Sequence, residues 1–250
     1  MTTLRSSRTA LITGASQGLG RAIALRLGAA GHRIVVNYFS SSAAADSTVS
    51  DIRSAGGKAH AIRADVRDPD QVAALVAEAS RVFGPPEILV HNATGPQPMK
   101  PIEDYVWDDF QDQIDFFIKA PVHLTQATLA GLKQARWGRI ILIGSEVADL
   151  GNANFSAYVA AKAAMVGLVR SWAREFGPWQ ITVNLVAPGW IPVGRHAGTP
   201  QSALDSYAQS VPLQRQGMPA DIAGAVAYLA AEEAGFVTGQ CLSVNGGNTF

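Results

Sequence analysis

The sequence predicts an α/β protein: a single domain on a doubly wound parallel sheet of about seven strands, with helices on both faces. Three observations predict it. Short apolar runs alternate with longer helical patterns along most of the chain. Several runs are apolar at consecutive positions, as in Ile34-Val35-Val36, Ile88-Leu89-Val90 and Ile140-Ile141-Leu142-Ile143, which suits strands covered on both faces. No composition shift, linker or internal repeat marks a second domain within the 250 residues.

Taken in order, the strands are expected at Ala10–Thr13, Arg33–Tyr38, Lys58–Arg63, Glu87–His91, Arg139–Gly144, Ile181–Ala187 and Gln240–Val244. Helical patterns fall between them at Leu19–Ala30, Ala43–Ala55, Pro69–Phe83, Val106–Lys133, Phe155–Phe176 and Pro219–Ala230. Gly31 stops the first helix, Gly56-Gly57 stops the second, and Asp68-Pro69 opens the third with an N-cap and a proline at the first helical position. Right-handed crossovers then place helices on both sides of the sheet. The longest irregular segments, Asn92–Asp104 and Pro188–Gln201, both follow strands, at the edge where this architecture binds ligands. The region 188–212 is read as a lid over the substrate.

Twenty Lys and Arg balance twenty Asp and Glu, so the chain has no basic field to recruit nucleic acid or an acidic membrane. A single cysteine, Cys241, excludes an intrachain disulfide and speaks against a thiolate zinc site; it is expected to be a small buried hydrophobe. No metal-binding set is read. Met1–Thr9 is short and polar, and no run reaches about 18 apolar residues, so the expectation is a soluble protein of the reducing cytoplasm.

The first strand runs into Thr13-Gly14-Ala15-Ser16-Gln17-Gly18-Leu19-Gly20 and then into a helix. Gly14 permits a tight turn, Gly18 a close approach to a pyrophosphate, and Gly20 close packing of the helix, whose N-terminus favours anions. This strand–turn–helix makes the sheet Rossmann-like, although its Gly-xxx-Gly-x-Gly spacing departs from the Gly-x-Gly-xx-Gly fingerprint. The second strand ends Asn37-Tyr38-Phe39-Ser40-Ser41-Ser42, without the carboxylate that would bind an unphosphorylated ribose and repel a 2′-phosphate. NADP(H) is therefore favoured, with NAD(H) possible, because that segment also carries no Arg or Lys. Ser40 and Ser41 can donate to a phosphate or merely cap the next helix. Asp65 can accept from an adenine amino group or serve only as a turn residue.

Tyr158 and Lys162 stand four apart, on one face of a helix. A free phenol is a poor base at neutral pH, and a neighbouring ammonium together with an oxidised nicotinamide ring favours its anion. Such a phenol protonates a developing alkoxide in reduction and removes a hydroxyl proton in oxidation. Ser145 closes a strand at the expected crevice, where its hydroxyl can hold the substrate oxygen.

These motifs resemble the short-chain dehydrogenase/reductase family over essentially the whole chain, and most of all its bacterial 3-oxoacyl-acyl-carrier-protein reductases. The resemblance rests on Thr13-Gly14-xxx-Gly18-x-Gly20, Asp65, Asn92-Ala93, Ser145, Tyr158-Val-Ala-Ala-Lys162, Asn184, Pro188-Gly189 and Asn245-Gly246-Gly247. It implies that the cofactor runs past Gly14, Ser16, Gln17, Gly18, Leu19 and Gly20 and along Tyr38, Ser40 and Ser41. It continues by Asp65, Val66, Asn92 and Ala93 to Tyr158, Lys162, Pro188, Gly189 and Ile191. Lys162 is implied to bind the nicotinamide ribose, Asn92 to stabilise the central strand and cofactor pocket, and the residues after Gly189 to meet the carboxamide. A homotetramer is also implied, consistent with long helices rich in Phe110, Phe116, Phe117, Trp172 and Phe176.

Three departures from the family pattern stand out. The usual Asn-Asn-Ala-Gly turn reads His91-Asn92-Ala93-Thr94, with glycine displaced to Gly95, so Thr94 must avoid a glycine conformation or be strained. The asparagine that supports a water beside the lysine falls on Phe117, unless the alignment slips within that helix, and Asp115 is no simple substitute. The arginines common at positions 17 and 39 are Gln17 and Phe39 here, which bears on NADP(H) selectivity.

Glu146, Trp190 and Phe117 are candidate substrate-pocket residues, Glu146 with a solvent-facing or structural role as the plainer reading. His91 is expected to cap its strand and His123 to be packed or partner-facing. Arg195 and His196 can meet an acidic substrate tail or lie on a solvated loop. The leading expectation is an NADP(H)-dependent reductase of a small-molecule or carrier-bound carbonyl, such as a 3-oxoacyl thioester. The competitors are an NAD-dependent alcohol, sugar or hydroxysteroid dehydrogenase, and, from another class, a nucleotide-sensing or scaffold protein.

Overall fold

The structure is a computed structural model, and it describes residues 7–194 and 197–250. Met1–Ser6 lie outside the described residues. Seven parallel strands form one sheet in the order β3-β2-β1-β4-β5-β6-β7. They are β1 (Thr9–Ile12), β2 (Arg33–Tyr38), β3 (Lys58–Arg63), β4 (Ile88–His91), β5 (Gly138–Ile143), β6 (Ile181–Pro188) and β7 (Cys241–Val244). Every expected strand is present, with ends that match or shift by one residue.

The consecutive apolar residues of these strands serve two cores, because alternate side chains of a pleated strand point to opposite faces. Leu11, Val35, Leu89, Ile140 and Leu142 face one side, against helices α3 (Pro69–Phe83), α5 (Ala120–Ala135) and α7 (Ser156–Phe176). Ile12, Ile34, Val36, Val90 and Ile141 face the other, against α1 (Gly18–Ala29), α2 (Ser42–Ser54) and α9 (Pro219–Ala230). At α3 the expected cap forms: the Asp68 carboxylate accepts from the N–H groups of Asp70 and Gln71 at 2.9 and 3.2 Å.

Strand order reverses between β1 and β4, so their carboxyl ends diverge into the crevice that holds the site. Thr13 and Asn92 tie the two ends together. The Thr13 hydroxyl accepts from the N–H groups of Asn92 and Ala93 at 2.9 and 3.0 Å, and the Asn92 amide donates to the carbonyls of Thr13 and Gly14.

Three differences from the sequence reading have physical causes. The helix expected over Val106–Lys133 is α4 (Trp107–Ile114), a π-helical turn (Asp115–Lys119) and then α5. Pro121 has no N–H to give the Phe117 carbonyl, so the α-helical ladder breaks at that turn. The segment read as a lid contains a helix, α8 (Gln201–Ser210), none of whose residues is buried, which is why its apolar pattern was too weak to announce it. Cys241 is exposed rather than buried, because β7 is the edge strand of the sheet. Gly144, between β5 and Ser145, admits no side chain: a Cβ there would overlap Leu185. Among the described residues no helix is long and apolar enough to cross a membrane.

His91 ends β4 as a buried residue, its Nε2 3.4 Å from the Thr125 hydroxyl. Burial drives its pKa down to about 3, so the folded protein keeps it neutral where the unfolded chain would protonate it. The unfolded state then binds the extra proton between about pH 6.5 and pH 3. Acidification through that window should remove up to about 1.4 kcal/mol of stability per pH unit on account of this residue. Urea unfolding from pH 7 to pH 4 should give a steeper loss for the wild type than for His91→Asn. Parallel profiles would show that His91 does not titrate in this way.

Candidate active site

The turn after β1 has the geometry of an anion cradle. Gly14 and Gly18 take positive φ of 61° and 57°, values that L side chains adopt at a cost. A Cβ on Gly20 would overlap the Gly14 carbonyl oxygen and the Asn92 amide, so the third glycine serves closure of the turn itself. Gln17 stands at the cap of α1 with extended backbone and no side-chain bond to the first turn, and no acid lies in that turn. The positive end of the helix is thereby left to a ligand. Ser16 is buried in this turn. Asn37 braces it from β2: its Oδ1 accepts from the Gly14 N–H at 3.3 Å, its carbonyl from the Ala15 N–H, and its amide donates to the Ala64 carbonyl at 3.1 Å. Only its place as a polar residue ending an apolar strand hinted at this in the sequence.

Asp65 and Val66 follow β3. Asp65 is held by Arg67, whose Nη2 lies 2.7 Å from Oδ2 and whose Nε reaches both oxygens, and this keeps the carboxyl below its ordinary range. Arg67 in turn covers the Phe116 ring at 4.7 Å. That ring explains the displaced glycine, since a Cβ on Gly95 would overlap it. Thr94 has no positive φ, so the altered turn carries no strain there.

Around the catalytic candidates the packing is aromatic. Tyr158 and Lys162 are both buried on α7. The Lys162 ammonium donates to the Ile143 carbonyl at 2.7 Å, two residues before Ser145, and lies 5.5 Å from the Tyr158 ring centroid. The Phe117 ring faces the same ammonium at 3.7 Å, meets Tyr158 edge-on at 5.5 Å, and is 3% exposed. Phe155 stacks on the other side of Tyr158 at 4.6 Å. Phe117 therefore does stand at the lysine. It packs against the Lys–Tyr pair and the edge of a cavity of about 10 Å³, not on an open substrate surface. Ser145, half-buried, accepts from the Val147 N–H at 3.3 Å, at the start of the short helix α6 (Val147–Leu150).

Of the two plainer readings of Glu146, solvent-facing or structural, the structure bears out the structural one: it is buried, 4% exposed. The Tyr207 hydroxyl of α8 donates to its Oε1 at 2.8 Å, and the Asn248 amide to its Oε2 at 3.0 Å. The same hydroxyl accepts from the Trp190 N–H at 2.8 Å and occupies the space a side chain on Gly189 would need. Burial, with the Glu146 carboxylate beside it, pushes the Tyr207 phenol far above its ordinary range, so it stays a donor. Trp190 packs edge-on against Tyr207 at 5.5 Å, Ile191 is buried, and Val193 lies over Gly18. The segment 188–212 is thus joined to Ser145's neighbour and to the C-terminal tail. Tyr207 and Asn248 carried no recognisable signal in the sequence. Asn184 clamps β6 to the loop before β7 through the Val237 carbonyl and the Gln240 N–H. Among the described residues the buried Nε2 of His123 has no partner. Arg195 and His196 lie outside the described residues.

A doubly wound sheet with this cradle at its switch point and this lysine-backed phenol beside it defines a nicotinamide-dependent oxidoreductase. The comparisons with known proteins make the class specific. Residues 14–249 match the family model described as enoyl-(acyl carrier protein) reductase. The chain is 37% identical over 246 residues to the 3-oxoacyl-acyl-carrier-protein reductase FabG of Staphylococcus aureus, covering 98% of this chain and 99% of that one. Among solved structures it is similar to a double mutant of a Serratia marcescens short-chain dehydrogenase/reductase, with TM-score 0.89, 34% identity and coverage of 97% and 98%. A blue fluorescent protein from a metagenomic library, solved with NADPH, superposes with TM-score 0.88 at 35% identity, covering 97% of this chain and 98% of that one. The chain belongs to the short-chain dehydrogenase/reductase family and is an NAD(P)-dependent oxidoreductase acting on the CH–OH/C=O couple.

Replacing Tyr207 by Phe leaves the Glu146 carboxylate and the Trp190 N–H each short of a buried partner. The expected cost is about 1–3 kcal/mol, with faster proteolytic cutting in the 189–200 segment. Unchanged thermal unfolding and unchanged cutting would show that the lid is held by other contacts.

Proposed function

We propose that this chain is an NADP(H)-dependent carbonyl reductase that converts a 3-oxoacyl thioester, or a closely related ketone, to the hydroxy product. The observation that carries the reading is the buried Lys162 ammonium on the Ile143 carbonyl, with the Tyr158 ring beside it and Ser145 at the end of the same strand. The full-length similarity to 3-oxoacyl-acyl-carrier-protein reductases supports the thioester, and a neighbour solved with NADPH supports the cofactor.

The cradle suits a dinucleotide: two left-handed glycines, a third with no room for a side chain, and a helix N-terminus without a cap or an acid. Gly14, Ser16, Gln17, Gly18 and Leu19 would hold the pyrophosphate, and Tyr38, Ser40 and Ser41 would flank the adenosine ribose. Asp65 would share its carboxylate between Arg67 and the adenine amino group, beside Val66. Asn92 and Ala93, with Pro188, Gly189 and Ile191, would shape the nicotinamide end. The bound cofactor supplies or accepts hydride. Tyr158 gives its phenolic proton to the substrate oxygen as negative charge develops there, and Ser145 donates a hydrogen bond to the same oxygen. Lys162, buried beside the phenol, stabilises the phenolate left behind. In place of an asparagine, the Phe117 ring meets this ammonium with its face. The lysine is thus held by a carbonyl and a π-surface, with a modified proton relay. The substrate would enter under the lid, with Trp190 as one wall.

NADPH oxidation with an acetoacetyl thioester should be measurable in the wild type and fall by at least about a hundredfold in Tyr158→Phe. Turnover only of sugars or steroids, with no thioester reduction, would overturn the substrate assignment. Phe117→Asn should change the pH profile of kcat while leaving the cofactor Kd in place. An unaltered rate and profile would remove Phe117 from the relay.

A further inference from the structure

The segment after β2 has no arginine or lysine of its own, yet the sheet brings one to it. Tyr38 and Arg63 are register partners across the parallel β2–β3 pair, so Arg63 leaves β3 beside the residues that follow Tyr38. Its Nε donates to the Phe39 carbonyl at 2.9 Å, and the guanidinium carbon lies 5.4 Å from the Phe39 ring centroid. Neighbouring cations are already engaged: Arg21 with Asp51 at 2.6 Å, Arg67 with Asp65, and Arg53 with the Ala59 carbonyl. Among the described residues Arg63 makes no ion pair, and its two terminal nitrogens have no protein acceptor. Ser41 precedes α2 in the cap position, but its hydroxyl bonds none of the first-turn N–H groups, and no acid lies in that turn. The capping role that would have consumed this hydroxyl is therefore absent.

Resting on the NADP(H) reading above, we propose that Arg63, with the hydroxyls of Ser40 and Ser41, recognises the 2′-phosphate of the cofactor and takes over from the arginines this chain lacks at positions 17 and 39. A phosphate dianion is best met by a planar fork of donors, and Arg63 presents one. The Nε bond to Phe39 and the aromatic ring beside it hold the plane of that fork, so little side-chain freedom is lost when the anion arrives. An unphosphorylated ribose would gain nothing from this cation, which makes the residue a selector rather than a general anchor.

The test is equilibrium binding. Kd values for NADPH and NADH would be read from nucleotide fluorescence, and those for adenosine 2′,5′-bisphosphate and 5′-AMP by calorimetry. The proteins are the wild type, Arg63→Ala and Arg63→Gln, the glutamine keeping bulk against Phe39. Loss of a charge-assisted pair predicts NADPH and the bisphosphate binding about ten- to a hundredfold more weakly in both variants, with NADH and 5′-AMP unchanged. Unchanged NADH binding also reports that the variants are folded. A variant preference for NADPH equal to that of the wild type would overturn the role of Arg63 and leave the cofactor reading standing. Equal weakening of both dinucleotides would make Arg63 a packing residue, which also overturns it. Equal NADPH and NADH affinity in the wild type would instead overturn the cofactor reading itself.

Discussion

A buried ammonium must have acceptors, and much of this site is arranged around the ones Lys162 finds. The side chain reaches from α7 to the last carbonyl of β5, at Ile143, and so fixes the helix that carries Tyr158 against the strand that leads to Ser145. From the neighbouring helix an aromatic face meets it. That face is presented by a π-helical turn, which exists where Pro121 interrupts the ladder. One proline and one phenylalanine thus set an aromatic ring against the lysine where an amide would be a polar neighbour, and burial strengthens the action of its charge on the adjacent phenol.

The fold was legible because both signals that encode it are local. Ile34-Val35-Val36 divides between two cores, and no element other than a doubly covered strand needs three consecutive apolar side chains at that length. The glycine turn, the i, i+4 pair and Asp68-Pro69 are likewise short-range patterns. What stayed hidden is long-range or weakly patterned. Helix α8 buries nothing, so no periodicity marks it. Pro121 was visible, but its consequence depends on continuing the helix past it. Glu146 could be read only as solvent-facing or structural, because its partners Tyr207 and Asn248 are 61 and 102 residues away. Cys241 followed the usual burial of free cysteine until the sheet order put its strand at the edge.

The same contrast separates the two ends of the crevice in which we propose that the cofactor lies. At the nicotinamide end, chemistry is concentrated in residues whose types and spacing are demanding, so the sequence declares them. Supporting contacts there, from Tyr207 to Glu146 and from Asn248 to Glu146, join helix α8 and the tail to the residue following Ser145. At the adenosine end, the demand is only for positive charge and donors near one strand terminus. Many positions can meet it, and a pattern fixed on the segment after β2 cannot see a cation delivered from β3.

This explains how a chain can lack two arginines where its relatives commonly place them and still keep a positive group at that terminus. In this parallel pair the last residues, Tyr38 and Arg63, are register partners, so position 63 lies beside the start of the loop after Tyr38. The strand register, once fixed by Ile34 and Val36 packing into their core, carries the last residue of β3 to the same place whatever the loop contains. Charge can therefore migrate between neighbouring strand ends with no change in fold, and a departure from the family pattern in one segment has to be read together with the residues its neighbours supply.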